Sequence, residues 1–309
     1  MNTATAFTLR ARWKSQVLFV FVACAVLAGG FLIAFAISPS GTQRSYIVMA
    51  DGWYKHWPLK RGKSILFRLN DTLYRAGVMK PVVAQTQQGI TMELDSRDLV
   101  TQTILTDGIW EPKVTSLVNE NLAEGGVFVD VGAHVGYYSL LASRKVGIRG
   151  KVVAVEPNPP TIARLERNIN LNHAENILVQ KVACTDKETT LRFFQAGVEN
   201  TGGSSMNQAN VADGHEISVP GVPLDQIVRS LGLSRVDLIK IDVEGAEMQV
   251  LSGMTYILTT YRPKIVVEIQ PDHLAAAKAL FQNNGYRLQE RDAVDNYFWT
   301  PAAPPPAAR

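Results

Sequence analysis

The sequence has only two cysteines, Cys24 and Cys184, among its 309 residues. Cys24 sits in an apolar run and Cys184 far downstream, so no disulfide framework holds the chain together. Net charge is also scarce: 31 lysines and arginines against 28 aspartates and glutamates leave a formal charge of +3. That surplus is too small to point to a nucleic-acid partner. No stretch repeats. No Cys/His spacing suits zinc, and no Ser/His/Asp or Cys/His constellation marks a covalent nucleophile. The dinucleotide wording Gly-x-Gly-x-x-Gly is missing as well. A disulfide-rich scaffold, a zinc module and a triad hydrolase are all excluded.

What is present is concentrated in three stretches. Residues 127–136 read Val-Phe-Val-Asp-Val-Gly-Ala-His-Val-Gly. Val127, Phe128 and Val129 predict a buried parallel strand. Asp130 ends it, Gly132, Ala133 and Gly136 make a turn too tight for larger side chains, and residues 137–144 begin a helix. This arrangement holds a ligand over the carboxyl end of a strand, with its anionic part near a helix N-terminus. Asp130 lies inside the motif, where it would repel a pyrophosphate. It suits a ligand with an ammonium and a sulfonium, namely S-adenosylmethionine. Residues 152–155 predict a second apolar strand closed by Glu156, which can accept hydrogen bonds from both ribose hydroxyls. Either acid alone is equally a helix cap or a surface charge; the two at the ends of successive strands point to one site.

The third stretch, residues 236–247, reads Val-Asp-Leu-Ile-Lys-Ile-Asp-Val-Glu-Gly-Ala-Glu. Alternation puts Leu238, Lys240 and Asp242 on one face and Ile239 and Ile241 on the other. A lysine in a core strand needs a partner, and Asp242 or Glu268 can serve. A structural ion pair and a catalytic group both remain open. In the catalytic reading Asp242 accepts or orients the proton of a substrate hydroxyl, with Lys240 and Glu244 beside it. Glu247, near a helix start where a carboxylate is favoured anyway, has the weaker claim. Asp242, Glu244, Glu247 and Glu268 are clustered oxygen donors, but no obligatory metal is expected.

Together with Glu156-Pro157-Asn158-Pro159, these stretches resemble the FkbM family of S-adenosylmethionine-dependent methyltransferases, over residues 88–270. The resemblance implies an α/β fold with a doubly wound, mostly parallel, seven-stranded sheet of the Rossmann-like class I methyltransferase type. It implies S-adenosylmethionine as cofactor and a hydroxyl acceptor on a sugar, a glycolipid or a polyketide-like molecule. It extends to the Gly-x-Trp-Glu-Pro wording at 108–112, where Glu111 would reach the methionine ammonium. Glu111 is equally a helix-start carboxylate before Pro112. The expected cofactor set is Glu111, Asp130, Gly132, Ala133, His134, Gly136, Glu156, Asn158, Ala183 and Asp242. The expected catalytic set is Asp242, Lys240 and Glu244. His134 departs from the family, which more often carries Asn there. Methyl displacement at a sulfonium carbon has a good neutral leaving group and asks mainly for alignment, so the missing triad does not count against an enzyme. The rival readings are a dinucleotide oxidoreductase and a non-catalytic, membrane-tethered cofactor-binding domain.

Residues 17–37 are apolar without a charge. At ~1.5 Å rise per residue, about 21 residues span the ~30 Å hydrocarbon core. They read as an uncleaved anchor; a cleaved signal peptide ending at Ala34-Phe35-Ala36 is the alternative. Arg10, Arg12 and Lys14 hold the N-terminus in the cytosol and would put the large domain outside. The stretch after the run is basic too, with Arg44, Lys55, Lys60, Arg61, Lys63, Arg68, Arg75 and Lys80 against Asp51 and Asp71, which suits a cytoplasmic leaflet. S-adenosylmethionine is made and used inside cells, so the expectation is a single-pass membrane protein with a cytosolic catalytic domain. The chain divides into a cytosolic tail and membrane anchor (1–40), a basic juxtamembrane connector (41–81), the methyltransferase domain (82–300) and a disordered tail (301–309). Spacing within the domain predicts a hairpin over 82–94 and helices over 98–106, 114–122, 159–171, 224–231 and 272–284. It also predicts one strand over 177–183, whose end lies beside the adenine, and closing strands over 286–288 and 297–300. Residues 200–206 predict a polar loop able to fold over a substrate.

Overall fold

The computed structural model describes residue 45 and residues 72–77, 79–195 and 215–302. The apolar run 17–37, most of the basic stretch 41–81, the loop 200–206 and the tail 303–309 lie outside the described residues. Among the described residues no helix is long and apolar enough to cross a membrane. The chain divides into two compact units, Met1–Val82 and Val83–Arg309. In the first, residues 72–75 make one helical turn and the Tyr74 hydroxyl donates to the Lys80 carbonyl at 3.3 Å.

The second unit begins with a two-stranded sheet, β1 (Val82–Gln85) and β2 (Thr91–Leu94), then α1 (Leu99–Asp107) and α2 (Pro112–Asn121). Alternating elements follow: β3 (Val127–Val131), α3 (Tyr137–Val146), β4 (Lys151–Val155), α4 (Pro159–Leu171) and β5 (Ile177–Gln180). A second small sheet is made by β6 (Ala183–Cys184), β7 (Thr189–Gln195) and β8 (His215–Val222). The chain then runs through α5 (Leu224–Ser230), β9 (Leu238–Ile241), α6 (Glu247–Ser252), α7 (Thr255–Thr260), β10 (Lys264–Glu268), α8 (Leu274–Asn283), β11 (Tyr286–Arg291) and β12 (Asn296–Pro301).

The main sheet has seven strands in the order β11-β12-β10-β9-β3-β4-β5. All neighbours are parallel except β12, which runs antiparallel to both β10 and β11. Valine and isoleucine fill the central strands because a parallel sheet covered on both faces has no solvent side. Every residue of β3 is buried. On one face, Leu224 and Val228 of α5, Val250 of α6, Ile257 of α7 and Phe281 of α8 join Val129, Ile239, Ile241 and Val267 in one core. Phe281 stacks on Trp299 with ring centres 4.5 Å apart. The class I methyltransferase sheet expected from the sequence is the one observed.

Register decides where the site lies. Val131 pairs with Val155 on one side and Ile241 on the other, and Ile241 pairs with Val267. Gly132, Glu156, Asp242 and Glu268 therefore stand side by side at one edge of the sheet. The chain winds outward from β3 in one direction through β4 and β5, and in the other from β9 to β10. This is the switch point at which doubly wound sheets bind ligands.

One expectation needs correction. The strand over 177–183 is two strands in two sheets: β5 ends at Gln180, and Ala183 and Cys184 pair instead with Gly221 and Val222 of β8. The break falls at the polar pair Gln180–Lys181: Lys181 is exposed, and the chain bends at Val182 before the buried Ala183 and Cys184 take their new partner. Ala183 and Cys184 still line the cavity described below.

The turn after β3 has a hard requirement. Gly132 has φ 81°, and a Cβ built on it would lie 1.8 Å from the Asp242 carbonyl oxygen. Gly132→Ala should cost roughly 3 kcal/mol, combining left-handed backbone strain with forced displacement of the Asp242 loop. A melting temperature lowered by roughly 6–12 °C is expected; an unshifted melt would show that the two loops separate easily.

Candidate active site

The loop after β3 is held from below by backbone. The amides of Gly132 and Ala133 both donate to the Val155 carbonyl at 3.0 Å, and Asp242 N–H donates to the Val131 carbonyl at 3.0 Å. His134 follows with φ 50°. Its amide donates to Glu156 Oε2 at 2.9 Å, while Asn158 N–H donates to Glu156 Oε1 at 2.9 Å. Glu156 thus stitches the loop to the end of β4, and each of its oxygens keeps a lone pair for another donor. The His134 ring turns to Asp98, with Nε2 3.6 Å from Oδ2. Burial lowers the His134 pKa, and the Asp98 carboxylate works against it.

A cavity of about 660 Å³ opens over this edge. It is lined by Gly132, Ala133, His134, Glu156, Ala183 and Cys184 together with Glu111, Lys240, Asp242, Glu244 and Glu268. Lys240 is 3% exposed and its Nζ is 3.0 Å from Asp242 Oδ2 and 4.8 Å from the centre of the Tyr138 ring. Burial alone would lower its pKa, but Asp242, Asp130 and Glu111 together outweigh burial and raise it. Burial, with Asp242 and Glu247 beside it, pushes Glu244 up to about 7. Glu268 is raised by burial and by Asp242 and Glu244. Glu111 is fixed from two sides: Tyr138 donates to its Oε2 at 2.8 Å and Asn296 Nδ2 to its Oε1 at 3.2 Å.

Of the residues expected from the sequence, Glu111, Gly132, Ala133, His134, Glu156, Ala183, Lys240, Asp242 and Glu244 line one cavity. Asp130, Gly136 and Asn158 stand behind it. Asp130 is buried, its Oδ2 accepting from Ser139 Oγ at 2.6 Å and its Oδ1 without a hydrogen-bond partner. Gly136 caps α3 and presses on Leu165, which a Cβ would meet at 2.5 Å. Asn158 Oδ1 accepts from Gln195 Nε2 at 2.7 Å. An orphaned buried carboxylate oxygen, a second buried carboxylate with acceptor capacity and a loop of small residues fit S-adenosylmethionine's cationic and ribose groups. Glu247 faces away, binding Gly245 N–H and the His273 ring. Tyr138, Trp110, Phe193 and the 292–294 turn also line the cavity, and none was expected. Tyr138 at a helix start resembles ordinary packing, and the turn reaches the site only because β12 is inserted antiparallel.

Burial pushes Glu156 up to about 7 and Asp130 to about 6, against their hydrogen bonds. Hydrogen-bond donors and cations on the ligand favour the ionised forms. S-adenosylmethionine binding should therefore release protons near neutral pH, and affinity should climb from about pH 6 to about pH 8. In the free protein the sign is opposite. The stability these raised carboxyls contribute is complete below their ordinary values and is lost as pH rises through about 7. Glu156→Ala should weaken cofactor binding ~10- to 150-fold. Calorimetry in buffers of different ionisation heat reads both effects; unchanged affinity in the variant would remove Glu156 from the site.

Comparison with known proteins agrees with this geometry. The family model for the methyltransferase FkbM domain matches residues 130–288. Methyltransferase 1 of Beauveria bassiana is 27% identical over 192 residues, covering 56% of this chain and 75% of its own. Hexuronic acid methyltransferase AglP of Haloferax volcanii is 26% identical over 159 residues, covering 52% of this chain and 62% of its own. Among solved structures, methyltransferase FkbM from Methylobacillus flagellatus is 18% identical with a TM-score of 0.41, covering 65% of this chain and 52% of its own. With the family model spanning more than half of the residues, this chain belongs to the FkbM family of S-adenosylmethionine-dependent methyltransferases.

Proposed function

We propose that the chain is an O-methyltransferase acting on a hydroxyl of a sugar, a glycolipid or a similar small molecule. One observation carries this reading. At the cavity end of β9, Asp242 has one carboxylate oxygen fixed 3.0 Å from a buried ammonium, and the same carboxylate lines the cavity. S-adenosylmethionine, when bound, supplies a methyl group on a sulfonium centre. Asp242 receives or orients the acceptor hydroxyl proton as the oxygen forms its bond to carbon. Lys240 holds Asp242 in place, and Tyr138 and Glu111 hold Lys240. The walls exclude water and align the acceptor, which is most of what this displacement requires.

The archaeal relative, named for hexuronic acid, supports a sugar acceptor. Family membership weighs against the dinucleotide oxidoreductase and the non-catalytic domain. The apolar run 17–37 and the basic stretch 41–81 support a membrane-anchored enzyme with its catalytic domain on the cytosolic side. An enzyme held beside a bilayer leans toward a glycolipid or a lipid-linked saccharide.

Incubating the purified chain with labelled cofactor and cell-envelope extract should transfer label to a hydroxyl of a saccharide or glycolipid. Asp242→Asn should slow turnover ~10²- to 10⁴-fold with cofactor affinity nearly unchanged. If the pair is only structural, losing one partner costs ~3–5 kcal/mol and activity tracks the folded fraction. Melting, cofactor affinity and turnover on one preparation separate the two. Lys240→Met removes the cation beside Asp242, so the acidic limb of the pH–rate profile should move upward. The full chain should stay in the membrane pellet after carbonate washing; a soluble product beginning near Ile37 would show a cleaved signal instead.

A further inference from the structure

The charges that line the cavity are lopsided. Glu111, Asp242, Glu244, Glu268 and Asp292 all line it, and burial, with Asp242 and Glu244 crowded beside it, pushes Glu268 up to about 8. The lining cations among the described residues are Lys240 and Lys113, and both are committed. Lys240 is buried against Asp242 at 3.0 Å. Lys113, on the rim, holds Glu290 at 2.7 Å. His134 is turned to Asp98, 3.6 Å away. S-adenosylmethionine carries an ammonium and a sulfonium against one carboxylate, and so offsets a single net charge.

An acceptor bearing a carboxylate, sulfate or phosphate near its reacting hydroxyl would enter a space already rich in anions. No lining cation among the described residues is left to receive it. Like charges brought together out of water are strongly unfavourable, and such repulsion is a recognised route to specificity. A neutral polyol meets the opposite situation. Carboxylates are acceptor-only groups when ionised, and sugar hydroxyls donate to them. The rim adds apolar surface from Trp110, Leu99 and Val294, with Leu99 54% and Val294 58% exposed. Such surface suits the faces of a neutral ring and gives nothing to an ionised group.

We infer that the acceptor carries no acidic group beside the hydroxyl that is methylated: the cavity selects a neutral sugar-like polyol and rejects a uronate. This rests on the O-methyltransferase reading, and it separates this chain from the hexuronic acid named for its archaeal relative.

The test uses the full chain, S-adenosylmethionine labelled in the methyl group and a cell-envelope extract. Products are hydrolysed in acid to single sugars and passed over an anion exchanger. Label is expected in the neutral flow-through. Label retained as an O-methyl uronate, or released as methanol from a uronate ester, overturns the inference and leaves the methyltransferase reading standing. No label in any fraction, with cofactor binding intact by calorimetry, fails the O-methyltransferase reading and the inference with it. The wild-type product alone decides the matter. As a check on cause, assayed at about pH 9, where both carboxyls are ionised, the double variant Glu244→Gln, Glu268→Gln should raise the acidic share of label at least about tenfold. An active double variant with an unchanged share overturns the assignment of selectivity to these carboxylates.

Discussion

A single buried ammonium organises this site. Lys240 sits in the middle of a parallel sheet, in register with Asp130 on one side and Val266 on the other. A charge in that position is tolerable only where opposite charge surrounds it. Asp242 lies 3.0 Å away, Asp130 is its strand neighbour, and Glu111 closes above the Tyr138 ring. These residues come from four parts of the chain. Their convergence fixes how β3, β9 and the loop before α2 approach one another. The carboxylates of Asp242 and Glu111 meet the cavity in one place because they meet the lysine in one place.

Much of this could be read along the chain. The strands β3 and β4 each carry an apolar run ended by an acid, β9 carries one interrupted only by Lys240 and followed by Asp242, and local pattern is enough to find them. Pairing of Lys240 with Asp242 was legible because two residues on a strand share a face. What could not be read were features created by distant pairing. The switch of Ala183–Cys184 from one sheet to another follows the polar pair Gln180–Lys181, which a single continuous strand can equally carry. The 292–294 turn joins the cavity through an antiparallel insertion that sequence spacing does not encode. Glu156 was expected to serve ribose hydroxyls, but its bonds to the amides of His134 and Asn158 depend on loop shape and were invisible until the fold was known.

Backbone strain has a pattern of its own. Glu111, His134 and Glu244 all have positive φ, at 36°, 50° and 50°, and all line the cavity. Left-handed conformations are unfavourable for residues with a Cβ, and they persist where surrounding structure over-determines them. The departure at His134 also acquires a reason. Asn and His are among the side chains that tolerate this region best, so the loop keeps its path under either residue.

The contact between the Gly132 Cα and the Asp242 carbonyl bears on how the enzyme can change. The loops after β3 and after β9 share that wall, with no side chain between them to absorb a shift. Stretches more than a hundred positions apart in the chain therefore behave as one piece of framework. The loop after β3 cannot be remodelled toward β9 without moving the loop after β9 as well. Laboratory evolution that reshapes either loop would have to find paired changes, one on each strand, and would find them slowly.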